Sequence, residues 1–490
     1  MLRLTSIDLT KTKVDTLAIA VCEDEDIHDD PIIKAVIRKA LKLKEFSGEK
    51  DETVTLYDVP DIKAQRVILW GLGKLEKTDR EALRSMTGKT VKHCIKKQLA
   101  SLCFAVPKPS MMKMELSTVL EAMQEGAYLA NHLFHKFKGE EKKKVLRRIH
   151  FRITKQVTQK MRKLSTRVAA ICEGTTLARD WVSTPSNEKT PEKLTRSIVS
   201  LARKQGLKVQ VLNEAQLKQK KLGALLAVAA GSQSKPSMVL LEHKAPGAKK
   251  TLALVGKGVT FDSGGLNIKT GASISDMKSD MSGAAAVAAT LITAAKLNTK
   301  VNIIGAIPIV ENMPSGHATR PGDIIRSYTG KTIEIGNTDA EGRLILIDAI
   351  SYVVKRYKPQ LLIDLATLTG ACVVALGDKI AGVFSNDDDL AAAIVASGDK
   401  THERCWRMPL PEDYKELLKS DFADMNNIGN TRAGGAITAA LFLSEFAADT
   451  RWAHIDIAGP AYLKTESAYC GPGGTGFGVR LLTDLLEMVG

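Results

Sequence analysis

Residues 251–295, "TLALVGKGVTFDSGGLNIKTGASISDMKSDMSGAAAVAATLITAA", decide the fold. The stretch opens on a compact apolar run, 251–256, that ends in glycine and reads as a buried strand. It closes on 282–295, a run of mostly small and apolar residues that reads as a core helix. Between them come Lys257, Asp262, Lys269, Asp276, Lys278 and Asp280. A strand leading into a helix, with the charges gathered in the connection, is the unit of an α/β layer whose chemistry lies at the strand ends.

The same alternation extends in both directions. Strands are expected at 207–212, 238–243, 301–309, 360–366 and 453–458, and helices at 191–204, 280–295, 341–356, 388–397 and 435–447. Thr190-Pro191 has the pattern of an N-cap followed by proline at the first helical position. The first third reads likewise, with strands at 14–22, 66–71 and 101–106 and helices at 31–43, 79–97 and 116–134. The expected class is therefore α/β in two domains, each a mainly parallel or mixed sheet flanked by helices. A chain of 490 residues is too long for one ordinary core. The boundary is expected near 165: residues 1–165 form an N-terminal domain ending in a basic linker, and 166–490 form a second domain that carries the acid-rich loops. The N-terminal domain shows no glycine-rich phosphate loop, since Gly71-Leu-Gly73 lacks the third glycine.

With 44% apolar and 26% charged residues, the composition is that of a soluble globular protein. No run reaches the ~18 apolar residues of a membrane helix. The apolar run near the N-terminus is broken by Asp15 and followed by acids, so it reads as a strand rather than a signal peptide. Seven cysteines without a C-x-x-C pair indicate reduced thiols and a cytosolic protein. The net charge is +15, and residues 136–167 hold 13 Lys/Arg against 2 acids, a local charge of +11. That stretch is either a solvated basic face or a surface for nucleic acid.

Acids also collect in "EIGNTDAEGRL", residues 334–344, where Asp339, Glu341 and Arg343 stand at every second position. In an extended or turn segment such residues point the same way and can converge. Taken alone, this is an ordinary helix start with an acid in its first turn. Together with Asp262 and Asp280, however, it makes four carboxylates after buried strands, prohibitive to bury without cations. A pair of Mn²⁺, Mg²⁺ or Zn²⁺ ions resolves this, and two ions sharing a water can activate it and polarise a carbonyl. After the strand 360–366 comes TLTGA (367–371), small and hydroxylated. There is no G-x-S-x-G elbow, H-E-x-x-H pair or Walker A loop. His317 and His454 do not cluster at ligand spacing and read as structural.

At these residues the chain resembles the leucyl (cytosol) aminopeptidase family. NTDAEGRL (337–344) stands intact, and VGKGVTFDSGGLNIK (255–269), MKSDMSGAAAV (277–287), ENMPSGHATRPGD (311–323), LATLTGA (365–371), ADMNNIG (423–429), AGGAITAALFL (433–443) and HIDIAGPA (454–461) follow the family in order and spacing. The resemblance spans roughly 180–490, and the α/β pattern of the first third fits the family's divergent N-terminal domain. It implies a two-metal exopeptidase that releases unblocked N-terminal amino acids, leucine and others, in intracellular peptide turnover. It further implies that Lys257, Asp262, Asp280, Asp339 and Glu341 are ligands to two divalent ions, Mn²⁺ or Zn²⁺, with Asp262 and Glu341 bridging. Lys269 and Arg343 would be the catalytic pair, and Arg343 would hold a bicarbonate that acts as general base. Thr367, Leu368 and Gly370 would line the substrate cleft. Lys257 could ligate only as the neutral amine, so its pKa would have to be depressed by the ions. The family also implies a homohexamer with its active sites facing an inner cavity. The rival class is a DNA-binding accessory or regulatory protein acting through 136–167, alone or beside the peptidase activity. A two-metal phosphohydrolase is a third reading, told apart by release of phosphate rather than amino acids.

Overall fold

The computed structural model describes residues 2–139 and 144–489, and of residues 272–273 only the backbone. The chain divides into two compact units: Met1–Cys172 with Thr465–Pro472, and Glu173–Lys464 with Gly473–Gly490. The division at Cys172 falls inside a single long helix, Gln159–Ser183.

The first unit is built on Leu2–Thr5 (β1), Val14–Cys22 (β2), Thr53–Tyr57 (β3), Ala64–Gly73 (β4), Ser101–Ala105 (β5) and Arg148–Arg152 (β6). Their order is β1-β6-β5-β2-β4-β3, and every neighbouring pair is parallel except β3 with β4. The expected basic linker is therefore partly sheet. Arg148–Arg152 lies between β1 and β5 with Ile149 and Phe151 buried, so the outward residues of a central strand carry the charge. Period-2 alternation of basic and apolar residues over only five positions is a weak signal in so basic a context. Residues 159–167 enter the long helix, and residues 140–143, with Lys142 and Lys143, lie outside the described residues.

The second unit carries a nine-stranded sheet. Its strands and those of a small side sheet are Lys208–Asn213 (β7), Ser237–His243 (β8), Thr251–Gly256 (β9), Gly258–Asp262 (β10), Asn302–Asn312 (β11), Ile324–Arg326 (β12), Thr332–Glu334 (β13), Leu361–Ala366 (β14), Ala381–Ser385 (β15), Cys405–Arg407 (β16), Met425–Asn426 (β17) and Arg451–Asp456 (β18). The main order is β16-β15-β18-β14-β9-β11-β8-β7, with β10 paired to the far end of β11, while β12, β13 and β17 form the side sheet. The central run β18-β14-β9-β11 is parallel, so four strands release the chain on one edge.

Both faces of this sheet are covered, which is why its strands read as continuous apolar runs. Leu252 and Leu254 of β9 enter one core with Leu361, Ile363 and Leu365 of β14. Ala253 and Val255 enter the other core with Leu362 and Ala366. The helix Ser282–Leu297 fills the first core and the helix Glu341–Tyr357 the second, so the two acid-bearing segments lead into core helices on opposite faces.

Candidate active site

The parallel edge gathers the polar residues. Lys257 follows β9, with its N–H on the Leu365 carbonyl of β14 (3.0 Å) and its own carbonyl accepting from Ala284 N–H (2.8 Å). Asp262 ends β10 opposite Asn312, the last residue of β11. Thr367 follows β14, and Asp456 ends β18. Asp280 enters from the loop ahead of the helix Ser282–Leu297, and Glu341 is the first residue of the helix Glu341–Tyr357.

Two ammonium groups lie among four carboxylates. Lys257 Nζ is 2.7 Å from both Asp280 Oδ1 and Glu341 Oε1, and it donates to the Thr367 carbonyl at 2.9 Å. Lys269 Nζ is 2.7 Å from Asp262 Oδ2 and 2.6 Å from Asp339 Oδ1. Ligand oxygens of Asp262, Asp280 and Glu341 all lie within 4.8 Å of one another, and all three residues are buried. Asp339 stands further out, with about a third of its side chain exposed.

The electrostatics follow from that crowding. Burial, then the charge of Glu341, pushes the Asp262 carboxyl above its ordinary range. Burial pushes Asp280 well up, against the opposing pull of Lys257. Burial and the Asp262 charge raise Asp339. For Lys257, burial alone would lower the pKa, yet Asp280, Glu341 and Asp262 hold it above the usual lysine value. With only the protein's own charges around it, Lys257 is thus a cation, not the neutral amine that a ligand requires.

The donor set fits a hard or borderline dication. Asp280 Oδ2 and Glu341 Oε2 are buried without a hydrogen-bond partner. An orphan carboxylate oxygen is costly, and two of them beside a tight carboxylate triplet have the chemistry of open metal-ligand positions.

Neutral side chains hold the carboxylates in place. Asn312 Nδ2 and Gly264 N–H donate to Asp262 Oδ1 at 2.8 and 2.9 Å. Thr367 Oγ1 donates to Asp280 Oδ1 at 2.7 Å. The two acid loops are latched by Asn267 and Thr338, through Asn267 N–H to Thr338 Oγ1 (2.9 Å) and Thr338 N–H to Asn267 Oδ1 (2.8 Å). Gly264 turns the first loop at φ +88°, a conformation that side chains rarely adopt. Gly342 lets Lys257 pass, because a Cβ there would stand 2.5 Å from Lys257 Cε.

Glu341 and Arg343 do not lie in the extended segment that alternation assumed, although the charges of Glu341 and Asp456 still act on Arg343. Glu341 and Arg343 both lie in the first turn of a helix, where residues two apart diverge. Glu341 reaches Lys257, while Arg343 Nη1 donates to the Asn427 carbonyl at 2.8 Å. Arg343 Nε is buried without a partner, and burial lowers its pKa to about 10. Asn427 also takes Gly336 N–H on its Oδ1 (2.8 Å) and donates to the Asn337 carbonyl (2.7 Å), bracing the NTDAEGR loop from β17's end.

Of the cleft residues expected, Thr367 contacts both Lys257 and Asp280, and Leu368 N–H is held by Asp456 Oδ1 at 3.1 Å. Gly370 starts the helix Gly370–Leu376 and is exposed, with nothing near the Cβ that it lacks. The sequence reading did not assign Asn312, Asn427, Asp456, Asn267 or Thr338 to the site. Their one visible signal was a polar residue at a strand end or beside an acid loop, which only the strand pairing turns into a contact. His454 lies in β18 rather than in the loops that carry the acids. It is fully buried, its Nδ1 is 2.6 Å from Asp364 Oδ1, and Trp452 Nε1 donates to Asp364 Oδ2 at 2.7 Å. His317 is exposed in its loop.

The catalytic-domain model of the cytosol aminopeptidase family matches residues 176–483, and the family's N-terminal-domain model matches residues 21–141. A probable cytosol aminopeptidase from Syntrophotalea carbinolica is 42% identical over 488 residues, covering 97% of each chain. One from Geobacter is 42% identical over 464 residues, covering 94% of this chain and 93% of the relative. Among solved structures, a tomato leucine aminopeptidase mutant superposes with a TM-score of 0.88 at 32% identity, covering 99% of this chain and 96% of that one. The bottromycin maturation enzyme BotP in complex with Mn superposes with a TM-score of 0.87 at 33% identity, covering 97% and 99%.

Proposed function

The chain belongs to the cytosol aminopeptidase family and is a metal-dependent aminopeptidase, and on that premise we propose that it works through two divalent ions, Mn²⁺ or Zn²⁺, held by Lys257, Asp262, Asp280, Asp339 and Glu341. The observation that carries this reading is the buried triplet Asp262, Asp280 and Glu341 with two unpartnered oxygens. The Mn of BotP, a structural neighbour, supports the class of ion. When bound, the ions supply Lewis acidity, an activated water and an anchor for the substrate's free amine.

The chain's own groups then divide the work. With Asp280 and Glu341 neutralised by bound cations, Lys257 would no longer be held protonated; it would give its proton to solvent and could then ligate as the neutral amine. Lys269 sits at the rim rather than inside the triplet, with 18% of its side chain exposed. It keeps its proton, polarises the scissile carbonyl and stabilises the oxyanion that forms there. Arg343, anchored to Asn427 and with Nε unpaired, holds bicarbonate as the general base. Thr367, Leu368 and Gly370 line the cleft for the N-terminal residue of the peptide. The substrates are peptides with an unblocked N-terminus, leucine first among them, and the setting is cytosolic peptide turnover by a homohexamer. The names of the curated relatives support the cytosol, and no described helix is long and apolar enough to cross a membrane.

The test is hydrolysis of leucine amide by metal-stripped protein given Mn²⁺, Zn²⁺, Co²⁺ or Mg²⁺ separately, beside N-acetyl-leucine amide. Restored release of leucine at two ions per chain, with the blocked substrate inert, is expected. Full activity at one ion per chain, or equal cleavage of the blocked amide, refutes the reading. Light scattering at about six times the 53.1 kDa chain mass checks the hexamer.

A further inference from the structure

One short turn ties down two of the carboxylate-bearing segments from behind. The helix Gln159–Ser183 ends, and a single 3-10 turn, Ser186–Glu188, leads to Lys189. Ser186 Oγ donates at 2.8 Å to the carbonyl of Thr260, two residues before Asp262. Lys189 Nζ donates at 2.7 Å to the carbonyl of Lys278, two residues before Asp280. Its other N–H groups go to the carbonyls of Trp181 (2.8 Å) and Val182 (3.2 Å) at the end of the long helix.

This is an expensive arrangement for a mere filler. Lys189 is 2% exposed, and burial together with the Lys278 charge holds its pKa well below that of an ordinary lysine. A methionine fills a similar volume at no desolvation cost. What methionine lacks is three donors on one atom, able to reach the helix end and the Lys278 carbonyl together. The negative end of the helix favours a cation there. Asp262 and Asp280 meanwhile repel each other, so the backbones that carry them must be fixed before any cation arrives.

We propose that the turn Ser186–Lys189 is a clamp that sets the spacing of the metal ligands Asp262 and Asp280, with Lys189 as its positioning residue. The proposal rests on the metal-ligand reading above. The Lys189 ammonium bonds only backbone carbonyls among the described residues, those of Trp181, Val182 and Lys278, and it acts through the last.

The experiment is calorimetric titration of metal-free, full-length protein with Mn²⁺ alone, for wild type, Lys189→Met, Ser186→Ala and Asp280→Ala. Positioning partners of metal ligands typically contribute about 10–100-fold in affinity, and Lys189→Met is expected to lose that much. Ser186→Ala, which forfeits one neutral hydrogen bond, is expected to lose about 2–10-fold. With Mn²⁺ saturating, kcat for leucine amide in both should return to within a few-fold of wild type. Wild-type Mn²⁺ affinity in Lys189→Met overturns the clamp and leaves Lys189 a helix cap, even if the protein melts lower. If Lys189→Met does not fold, Ser186→Ala decides, and unchanged affinity there overturns the clamp. Wild-type protein that takes up no Mn²⁺, or Asp280→Ala that binds it as tightly as wild type, overturns the ligand assignment itself and the clamp with it.

Discussion

Replacing Glu341 by Gln separates charge from shape at the centre of the site. Glu341 Oε1 lies 2.7 Å from Lys257 Nζ, and Lys257 keeps a second carboxylate, Asp280, at the same distance. Halving a buried ion pair usually costs about 3–5 kcal/mol. Here the balance differs, because the Glu341 charge also bears on Asp262 and Asp280 and helps to push both carboxyls up. Removing it relieves that repulsion, while Lys257 retains Asp280 and the Thr367 carbonyl. Metal-free Glu341→Gln should therefore melt no lower than the metal-free wild type. With metal the two diverge. A ligand at 100 times its Kd stabilises the native state by about 2.7 kcal/mol, a rise of a few degrees for a domain of this size. The variant forfeits most of that rise, because an amide oxygen brings no charge to the ion. Differential scanning calorimetry in EDTA and in excess Mn²⁺, with bound metal counted by mass spectrometry, measures both effects. A metal-induced rise as large as the wild type's would refute the reasoning. So would a metal-free variant that melts several degrees lower, since the carboxylates would then not be in mutual repulsion.

Lys269→Met should lower kcat by about 10²–10³-fold, the usual effect of losing an oxyanion donor, while metal content stays at the wild-type value; loss of metal would instead make Lys269 a ligand. Gly342→Ala would gain up to about 1 kcal/mol from helix propensity on an open surface. Here the new Cβ meets Lys257 Cε at 2.5 Å, so a loss of about 1–3 kcal/mol is expected by urea unfolding, with weakened metal uptake. Asp348 is fully buried, accepts from Leu225 N–H (3.0 Å) and Tyr328 N–H (2.7 Å), and burial pushes its carboxyl up to about 7. A carboxyl raised on folding contributes stability that is complete below its unfolded pKa near 3.8 and is lost as pH rises through about 7. That window holds up to about 4 kcal/mol for a shift of this size. Unfolding of Asp348→Asn, followed by urea titration from pH 4 to 8, should show a flatter pH dependence than wild type.

The sequence alone determined the class of the fold and pointed to metal-dependent chemistry, for a reason that lies in local energetics. Apolar runs such as 251–256 and 360–366 can be satisfied only by burial between helical layers, and they folded as β9 and β14. Four acids placed just after such runs cannot be buried without cations, so a metal was legible before any contact was known. The segment 148–152 was not legible, because two apolar side chains among arginines earn a place in a sheet only when β1 and β5 are present on either side. Tertiary structure also decided which carboxylates meet. Asp262, Asp280 and Glu341 form the inner triplet, while Asp339, two residues before Glu341, is left at the rim with Lys269. It decided that Asn312 and Asn427 bond to the NTDAEGR loop from 26 to 91 residues away along the chain, and that Lys189 reaches the Lys278 carbonyl across 89. Such partners carry no signature of their own. A hydrogen bond to a distant carbonyl or carboxylate depends on where the parallel strands end side by side, and strand order is set by the packing of the whole domain rather than by any local run of residues.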